Sequence, residues 1–291
     1  MNEENQIGRL IGKGTKILGD AGIENNQAEA RHLMMFILKD SLTNIYTRLT
    51  DELDEFTKMR YMKMIKKRAT HYPLQYITGY TYFMEDKYLC RENVLIPRYD
   101  SEILVIHAVG ISTDRPMKVL DMCTGSGCVG IAYGKEREEM GFSDDITLSD
   151  ISDDALSLAA DNAEKLEADV RIVKSDLYEA FEDENGNPKE TFDMIISNPP
   201  YIRTKDINNL IKDVRDYEPR LALDGAPDGL AFYRRIISRA PEFLNQNGSI
   251  ALEIGYDQYM DVADILKENG FINIHKEQDM SGLDRVISAQ I

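Results

Sequence analysis

The spacing of apolar positions changes period twice along the chain. Up to about residue 70 the period is helical. In IGRLIGKGTKILGDAGI, Ile7, Leu10, Ile11, Thr15 and Leu18 share one face, and the run stops at Gly22. NQAEARHLMMFILKD follows with good helix formers. DELDEFTKMRYMKMIKKRA then places acids first and bases last, as the helix dipole favours. These stretches predict a small helical bundle. Between Pro73 and Pro97 the texture turns to Tyr, Phe, Ile and Val around a polar MED turn, which predicts a β-hairpin bridging two domains. RYDSEILVIHAV returns to helix, with Asp100 and Ser101 as candidate caps.

Beyond residue 116 short apolar runs and helical stretches alternate. MKVLDM is followed by a helix from Gly127, ITLSD by a helix over 152–167, then VRIV and FDMIISN. A helix over 230–246, the strand SIALEI, a helix over 259–269 and the strands FINIHK and RVISAQI complete the series. This alternation predicts an α/β fold: a doubly wound, seven-stranded Rossmann-like sheet with helices on both faces. The QDMSGLD link is too short for a crossover helix, so the last strand pairs antiparallel. The organisation expected is a helical domain over 1–72, a hairpin linker over 73–97 and an α/β domain over 98–291.

Composition narrows the function classes. The chain of 291 residues carries 51 acidic and 34 basic side chains, a net charge of −17, which argues against a large nucleic-acid footprint. No apolar run approaches the roughly 18 residues of a membrane span. MNEENQIGRL lacks the layout of a signal peptide, so the cytoplasm is the expected location. Cys90, Cys123 and Cys128 read as free thiols, and no Cys or His spacing completes a metal site. The basic cluster Lys63, Lys66, Lys67 and Arg68 reads as a solvated helix face.

Ligands of a doubly wound sheet sit beyond the carboxyl ends of its strands. Three features fall there. VLDMCTGSGCVGIA, 119–132, joins a strand to a helix through a small-residue loop in which Gly125 and Gly127 permit close approach of a ligand. Alone this is a weak signal, because such turns are common. Asp150 ends the next strand, where an acid can accept from ribose hydroxyls or cap the helix that follows. Asp176, after the third strand, would bind an adenine amino group or cap a turn.

The third feature is NPPY, residues 198–201, which ends the fourth strand. Two prolines remove two backbone donors and stop strand pairing, leaving a rigid shelf. A planar amide or aromatic amine is a poor nucleophile because its lone pair is delocalised. The Asn198 side-chain oxygen and the Pro199 carbonyl would accept the two N–H bonds of such an NH2 group and aim its lone pair at an incoming methyl. Tyr201 would pack its ring against the substrate plane. Orientation and fixed dipoles, rather than a strong base, would supply the rate.

With these residues in hand, the chain resembles the bacterial release-factor glutamine methyltransferases, the PrmC/HemK type. The resemblance covers nearly the whole chain. Besides NPPYI it rests on PLQYITG (73–79), VLIPR (94–98), TGSGC (124–128), DIS (150–152), SDL (175–177), YEPRLAL (217–223), DGLAFYR (228–234) and EIGYDQ (253–258). It implies methyl transfer from S-adenosylmethionine, leaving S-adenosylhomocysteine, to the glutamine amide of the Gly-Gly-Gln loop of peptide chain release factors. On that resemblance the cofactor loop is Cys123, Thr124, Gly125, Ser126 and Gly127. Asp150 takes the ribose, and Asp176 and Leu177 lie beside the adenine. Asn198 touches both cofactor and substrate; Pro199, Pro200 and Tyr201 complete the substrate grip. Asp121 would suit the cationic sulfur, and the helical domain and hairpin would grip the release factor. A monomer without direct nucleic-acid binding is expected.

Two positions depart from the family pattern. Cys123 stands where a glycine usually opens the cofactor loop. At positive φ it would cost on the order of 1 kcal/mol; at negative φ its thiol only narrows the pocket. PRYDSE, 97–102, replaces PRPETE, keeping charge at Asp100 and Glu102. The competing readings are an adenine-N6 or guanine-N2 nucleic-acid methyltransferase using the same shelf, and a non-catalytic protein that docks on release factor or ribosome.

Overall fold

The computed structural model describes residues 5–291. It divides into two compact units, Met1–Gly79 with Ile211–Tyr217, and Tyr80–Leu210 with Glu218–Ile291.

The first unit is helical: α1 (Ile7–Asp20), α2 (Asn26–Leu38), α3 (Leu42–Thr47), α4 (Glu55–Arg68), α5 (Leu74–Thr78) and, from the later stretch, α9 (Lys212–Tyr217). The α1 stripe buries Ile7, Leu10, Ile11 and Leu18 against Leu33 and Met34 of α2 and Tyr61 and Ile65 of α4. Gly14 makes this packing possible, since a Cβ there would lie 2.5 Å from the Tyr61 hydroxyl. Asp54 caps α4 by accepting from the Thr57 N–H. The basic cluster on α4 is not wholly solvated. Arg68 is buried, bonded to Glu29 at 2.5 Å and to Asp213 at 2.7 Å. Two acids from distant sequence positions draw that guanidinium inward, which no local pattern could announce. The predicted hairpin stretch also begins as a helix, α5, before its strands.

In the second unit β1 (Tyr80–Phe83) and β2 (Asp86–Leu89) pair antiparallel. The α/β sequence then runs α6 (Glu102–Gly110), β3 (Lys118–Met122), α7 (Cys128–Glu139), β4 (Asp145–Asp150), α8 (Asp153–Lys165), β5 (Val170–Lys174) and β6 (Phe192–Ser197). It ends with α10 (Ala231–Phe243), β7 (Leu244–Glu253), α11 (Tyr259–Glu268), β8 (Ile272–Gln278) and β9 (Asp284–Gln290). The sheet order is β5-β4-β3-β6-β7-β9-β8. The last strand, β9, is antiparallel to both neighbours, and the other pairings are parallel. Order reverses between β3 and β6, the switch point where such sheets bind ligands.

Strand alternation divides the core between the two faces. Val119, Met194, Ile196 and Ala251 pack with residues of α6, α7 and α8. Leu120, Ile195, Ile250 and Leu252 pack with α10 and α11. Both faces are buried, which is why these strands read as continuous apolar runs. The helix expected over 230–246 stops at Phe243 because Leu244 is taken into the sheet opposite Phe192. Asp100 and Ser101 do not cap α6 through their side chains. Asp100 pairs with Arg285 at 3.3 Å, and Ser101 turns to a buried acid. Among the described residues no helix is long and apolar enough to cross a membrane.

Candidate active site

A cavity opens at the carboxyl ends of β3, β4, β5 and β6. Its wall includes Cys123, Thr124, Gly125, Ser126, Asp150, Asp176, Leu177, Asn198 and Pro200. With Asp121, which also lines it, ten of the thirteen positions singled out in the sequence share one space. Gly127, Pro199 and Tyr201 stand behind that wall.

The loop after β3 is held from both ends. Asp121 is buried, and its Oδ2 accepts from the Thr124 hydroxyl at 2.5 Å and from the Gly130 N–H at 2.9 Å. Burial pushes its carboxyl from 3.8 up to about 7, against the pull of those two bonds. Cys123 has φ of 60°, Gly125 of 56° and Gly127 of 82°. The cysteine thus occupies the left-handed region that glycine occupies without strain. Burial raises its thiol pKa, so it sits there as a thiol and not a thiolate. A Cβ on Gly125 would meet nothing within 4 Å, so the loop backbone faces open space at that point.

Asp150 braces the same loop. Oδ2 accepts from the Gly125 N–H and Oδ1 from the Ser152 N–H, each at 2.9 Å. Burial raises its pKa, with these backbone bonds opposing the shift. The cap of α8 is Ser152, which accepts from the Ala155 N–H. Asp150 is thereby left with spare lone pairs at the cavity wall. Asp176 pairs with Arg235 at 2.8 Å, and Leu177, at φ 53°, offers an apolar wall beside it.

At the end of β6 the Ser197 hydroxyl donates to the Met122 carbonyl at 2.6 Å, tying the shelf to β3. Asn198 Nδ2 donates to Ser101 Oγ at 3.1 Å. Among the described residues no donor reaches Asn198 Oδ1 or the Pro199 carbonyl. Tyr201 packs its ring against the core, and its hydroxyl donates to Glu253 Oε1 at 3.1 Å. Its ring does not line the cavity.

Several further positions at or behind the cavity wall escaped sequence reasoning. The loop Asn93–Arg98 lines the cavity, as do Ser101, Pro219, Leu221 and Phe232. Arg98 is bonded to buried Glu218 at 2.5 Å. Gln258 Nε2 donates to the Tyr201 carbonyl at 3.0 Å and the Gly229 carbonyl at 3.2 Å, while its Oε1 accepts from the Gly255 N–H. Gly225 lies under the shelf; a Cβ there would come within 2.7 Å of the Tyr201 backbone. The motifs VLIPR, YEPRLAL and EIGYDQ contain most of these residues, but nothing in their local pattern assigns a partner.

Comparison with known proteins gives this geometry its family. Residues 9–79 match the model described as PrmC N-terminal domain, and residues 100–217 match the methyltransferase small domain. A release factor glutamine methyltransferase of Clostridium botulinum is 39% identical over 285 residues, covering 97% of this chain and 98% of the relative. That of Clostridium acetobutylicum is 37% identical, covering 95% of each. The Geobacter sulfurreducens enzyme is 35% identical, covering 94% and 93%. The chain belongs to the release factor glutamine methyltransferase family. It is a methyltransferase, and the Rossmann-like fold, the helical N-terminal region and the family expected from the sequence are all found.

Proposed function

We propose that this methyltransferase moves a methyl group from S-adenosylmethionine to the side-chain amide nitrogen of the glutamine in the Gly-Gly-Gln loop of peptide chain release factors. It would act as a cytoplasmic monomer without direct nucleic-acid binding. The helical N-terminal residues and the hairpin would each contribute to holding the release factor.

One observation carries this reading. Asn198 Oδ1 and the Pro199 carbonyl lie one residue apart on a proline-stiffened shelf, and neither is used by a protein donor. Two acceptors so placed match the two N–H bonds of a primary amide. Accepting both weakens the conjugation of nitrogen with its carbonyl and turns the lone pair out of the amide plane. The shelf does this by orientation, which is where positioned reactants gain most of their rate. Fixed dipoles add to it without reorganisation.

The cavity suits S-adenosylmethionine, which when bound supplies an electrophilic methyl on a cationic sulfur. Asp150 and Asp176 line it beside Asp121, and a carboxylate there favours a cation, although burial holds Asp121 at about 7 and Asp176 is shared with Arg235. Asp150 keeps lone pairs for ribose hydroxyls after accepting from Gly125 and Ser152. Gly125 lets a ligand approach the backbone, and Leu177 offers an apolar face to a base. Cys123, Thr124, Ser126 and Gly127 complete the loop, while Asn198 borders both the cofactor and the substrate side.

The test is transfer from labelled S-adenosylmethionine to purified unmodified release factor, with peptide mass spectrometry and with DNA and ribosomal RNA assayed in parallel. One added methyl on the Gly-Gly-Gln glutamine is expected. Label confined to nucleic acid, or no label at all, would overturn the reading.

A further inference from the structure

The Asn198 amide is useful only if it presents oxygen, not NH2, to the cavity. What fixes that choice is a chain of hydrogen bonds leading away from the site. Asn198 Nδ2 lies 3.1 Å from Ser101 Oγ, and Ser101 Oγ lies 2.5 Å from Glu253 Oε2. Glu253, the last residue of β7, is 2% exposed. Its other oxygen, Oε1, accepts from the Tyr201 hydroxyl at 3.1 Å. Both ends of the Asn198–Tyr201 shelf are therefore tethered to one buried carboxylate.

The direction of the chain follows from counting protons. Burial raises the pKa of the Glu253 carboxyl, while the Ser101 and Tyr201 hydroxyls and the charge of Arg285 pull it down. With a hydroxyl donating to each of its oxygens it acts as a carboxylate, which can only accept, so the single Ser101 hydroxyl proton points at it. Ser101 Oγ then has only lone pairs left for Asn198. An amide meeting a lone pair must offer N–H, which turns Asn198 Oδ1 the other way. We propose that Ser101 and Glu253 are positioning residues that set the orientation of the Asn198 amide, with its oxygen toward the cavity. The proposal rests on the methyl-transfer reading for its kinetic consequence only; the orientation itself stands on the three hydrogen bonds.

Substitutions separate orientation from bulk. Ser101→Ala removes the relay atom at little cost in volume and leaves the amide free to turn over. Glu253→Gln keeps the shape but not the polarity. If the glutamine oxygen accepts from Tyr201, its NH2 faces Ser101, and the serine proton is released toward Asn198 Oδ1. That reverses the chain. Ser101→Thr keeps the hydroxyl.

Two readouts are needed. Kinetically, Ser101→Ala and Glu253→Gln are expected to lower kcat roughly 10- to 100-fold, the scale of a misoriented reacting group. KM and S-adenosylmethionine affinity should change by less than about threefold, and Ser101→Thr should recover the lost turnover. Independently of any substrate, the Asn198 side-chain NH2 protons, followed by 15N NMR, should be protected from exchange in the wild type and lose that protection in Ser101→Ala. Unchanged kcat in Ser101→Ala, or an equal rise in KM and cofactor Kd, would overturn the proposal while leaving the reaction intact. Were the wild type inactive on release factor, the reaction assignment would fail, and the NH2 protection alone would decide the orientation.

Discussion

Asp121 at the end of β3 and Gly130 in the first turn of α7 are joined by a 2.9 Å hydrogen bond, from the glycine N–H to Asp121 Oδ2. The same oxygen takes the Thr124 hydroxyl, so one atom of a fully buried carboxyl closes the whole loop between strand and helix. Burial lifts this group from 3.8 to about 7. The folded protein therefore holds a proton that the unfolded chain has already released. As pH rises from about 4 to about 7, the contribution of Asp121 to stability falls, and above 7 the loss is complete. Asp121→Asn keeps an acceptor at the oxygen that matters and cannot ionise. Its melting temperature, relative to the wild type, is expected to rise between pH 5 and pH 8. A constant difference across that range would show that Asp121 does not titrate there.

Asp150→Ala should act on the cofactor. The substitution frees the Gly125 and Ser152 N–H groups and removes the acceptor proposed for the ribose hydroxyls. Losing charge-assisted bonds of this kind costs about 1.5–3 kcal/mol, or roughly 10- to 150-fold in affinity. Calorimetric titration with S-adenosylhomocysteine measures it directly. Affinity within threefold of the wild type would remove Asp150 from the binding set.

Asn198→Ala separates chemistry from binding. We expect most methyl transfer to be lost, with kcat down at least about 100-fold on the scale of removing one oriented polar group. Cofactor affinity should fall far less, because the loop after β3 and Asp150 remain. Near-native turnover would mean that the Asn198 oxygen does not hold the substrate amide.

Gly225→Ala tests the support of the shelf from beneath. A Cβ at this position would meet the Tyr201 Cα at 2.7 Å and the Pro200 carbonyl oxygen at 2.9 Å, both of them backbone and unable to swing aside. Either the shelf or the loop carrying residue 225 must shift, and we expect the shelf to lift. Turnover should drop by at least tenfold with the sheet intact, since displacements of about 1 Å near a reacting group carry penalties of up to 10²-fold. Circular dichroism together with kcat checks it, and an unchanged kcat would mean that the loop, not the shelf, gives way.

The left-handed conformation at position 123 makes an asymmetric prediction. A β-branched side chain is strained further than cysteine at φ 60°. Cys123→Val should therefore lower stability by about 1 kcal/mol or more. Cys123→Gly relieves strain but adds freedom to the unfolded chain, so its effect should lie within about 1 kcal/mol of zero. Denaturant midpoints for the two variants are expected in that order.

The parts of this molecule that the sequence disclosed share a physical character. Strands buried on both faces, such as β3 and β6, read as apolar runs, and NPPY reads as a stop because proline has no N–H to give. α1 and α4 are legible through period alone. What stayed hidden depends on partners far away in the chain. Ser101 looked like a helix cap and is instead committed to Glu253, 152 residues distant. Arg68 looked like a surface base and is buried by Glu29 and Asp213. The short helices α5 and α9 have too few residues to establish a period. Gly225 carries no local signal, because its importance is the backbone lying against it.

The pairing of β3 with β6 has a consequence for how the molecule comes into being. Ser197 and Met122, buried strand ends that meet beneath the cavity, are 75 residues apart. Closing so long a loop is slow compared with forming a local helix or hairpin. The wall that carries Cys123 and the wall that carries Asn198 are therefore expected to come together in a late, cooperative step that completes the sheet centre. Partly folded molecules, with helices and hairpin already made, would hold neither wall in place. Hydrogen exchange at the central strands should then report the global unfolding free energy, and recovery of catalysis on refolding should lag behind recovery of helix content.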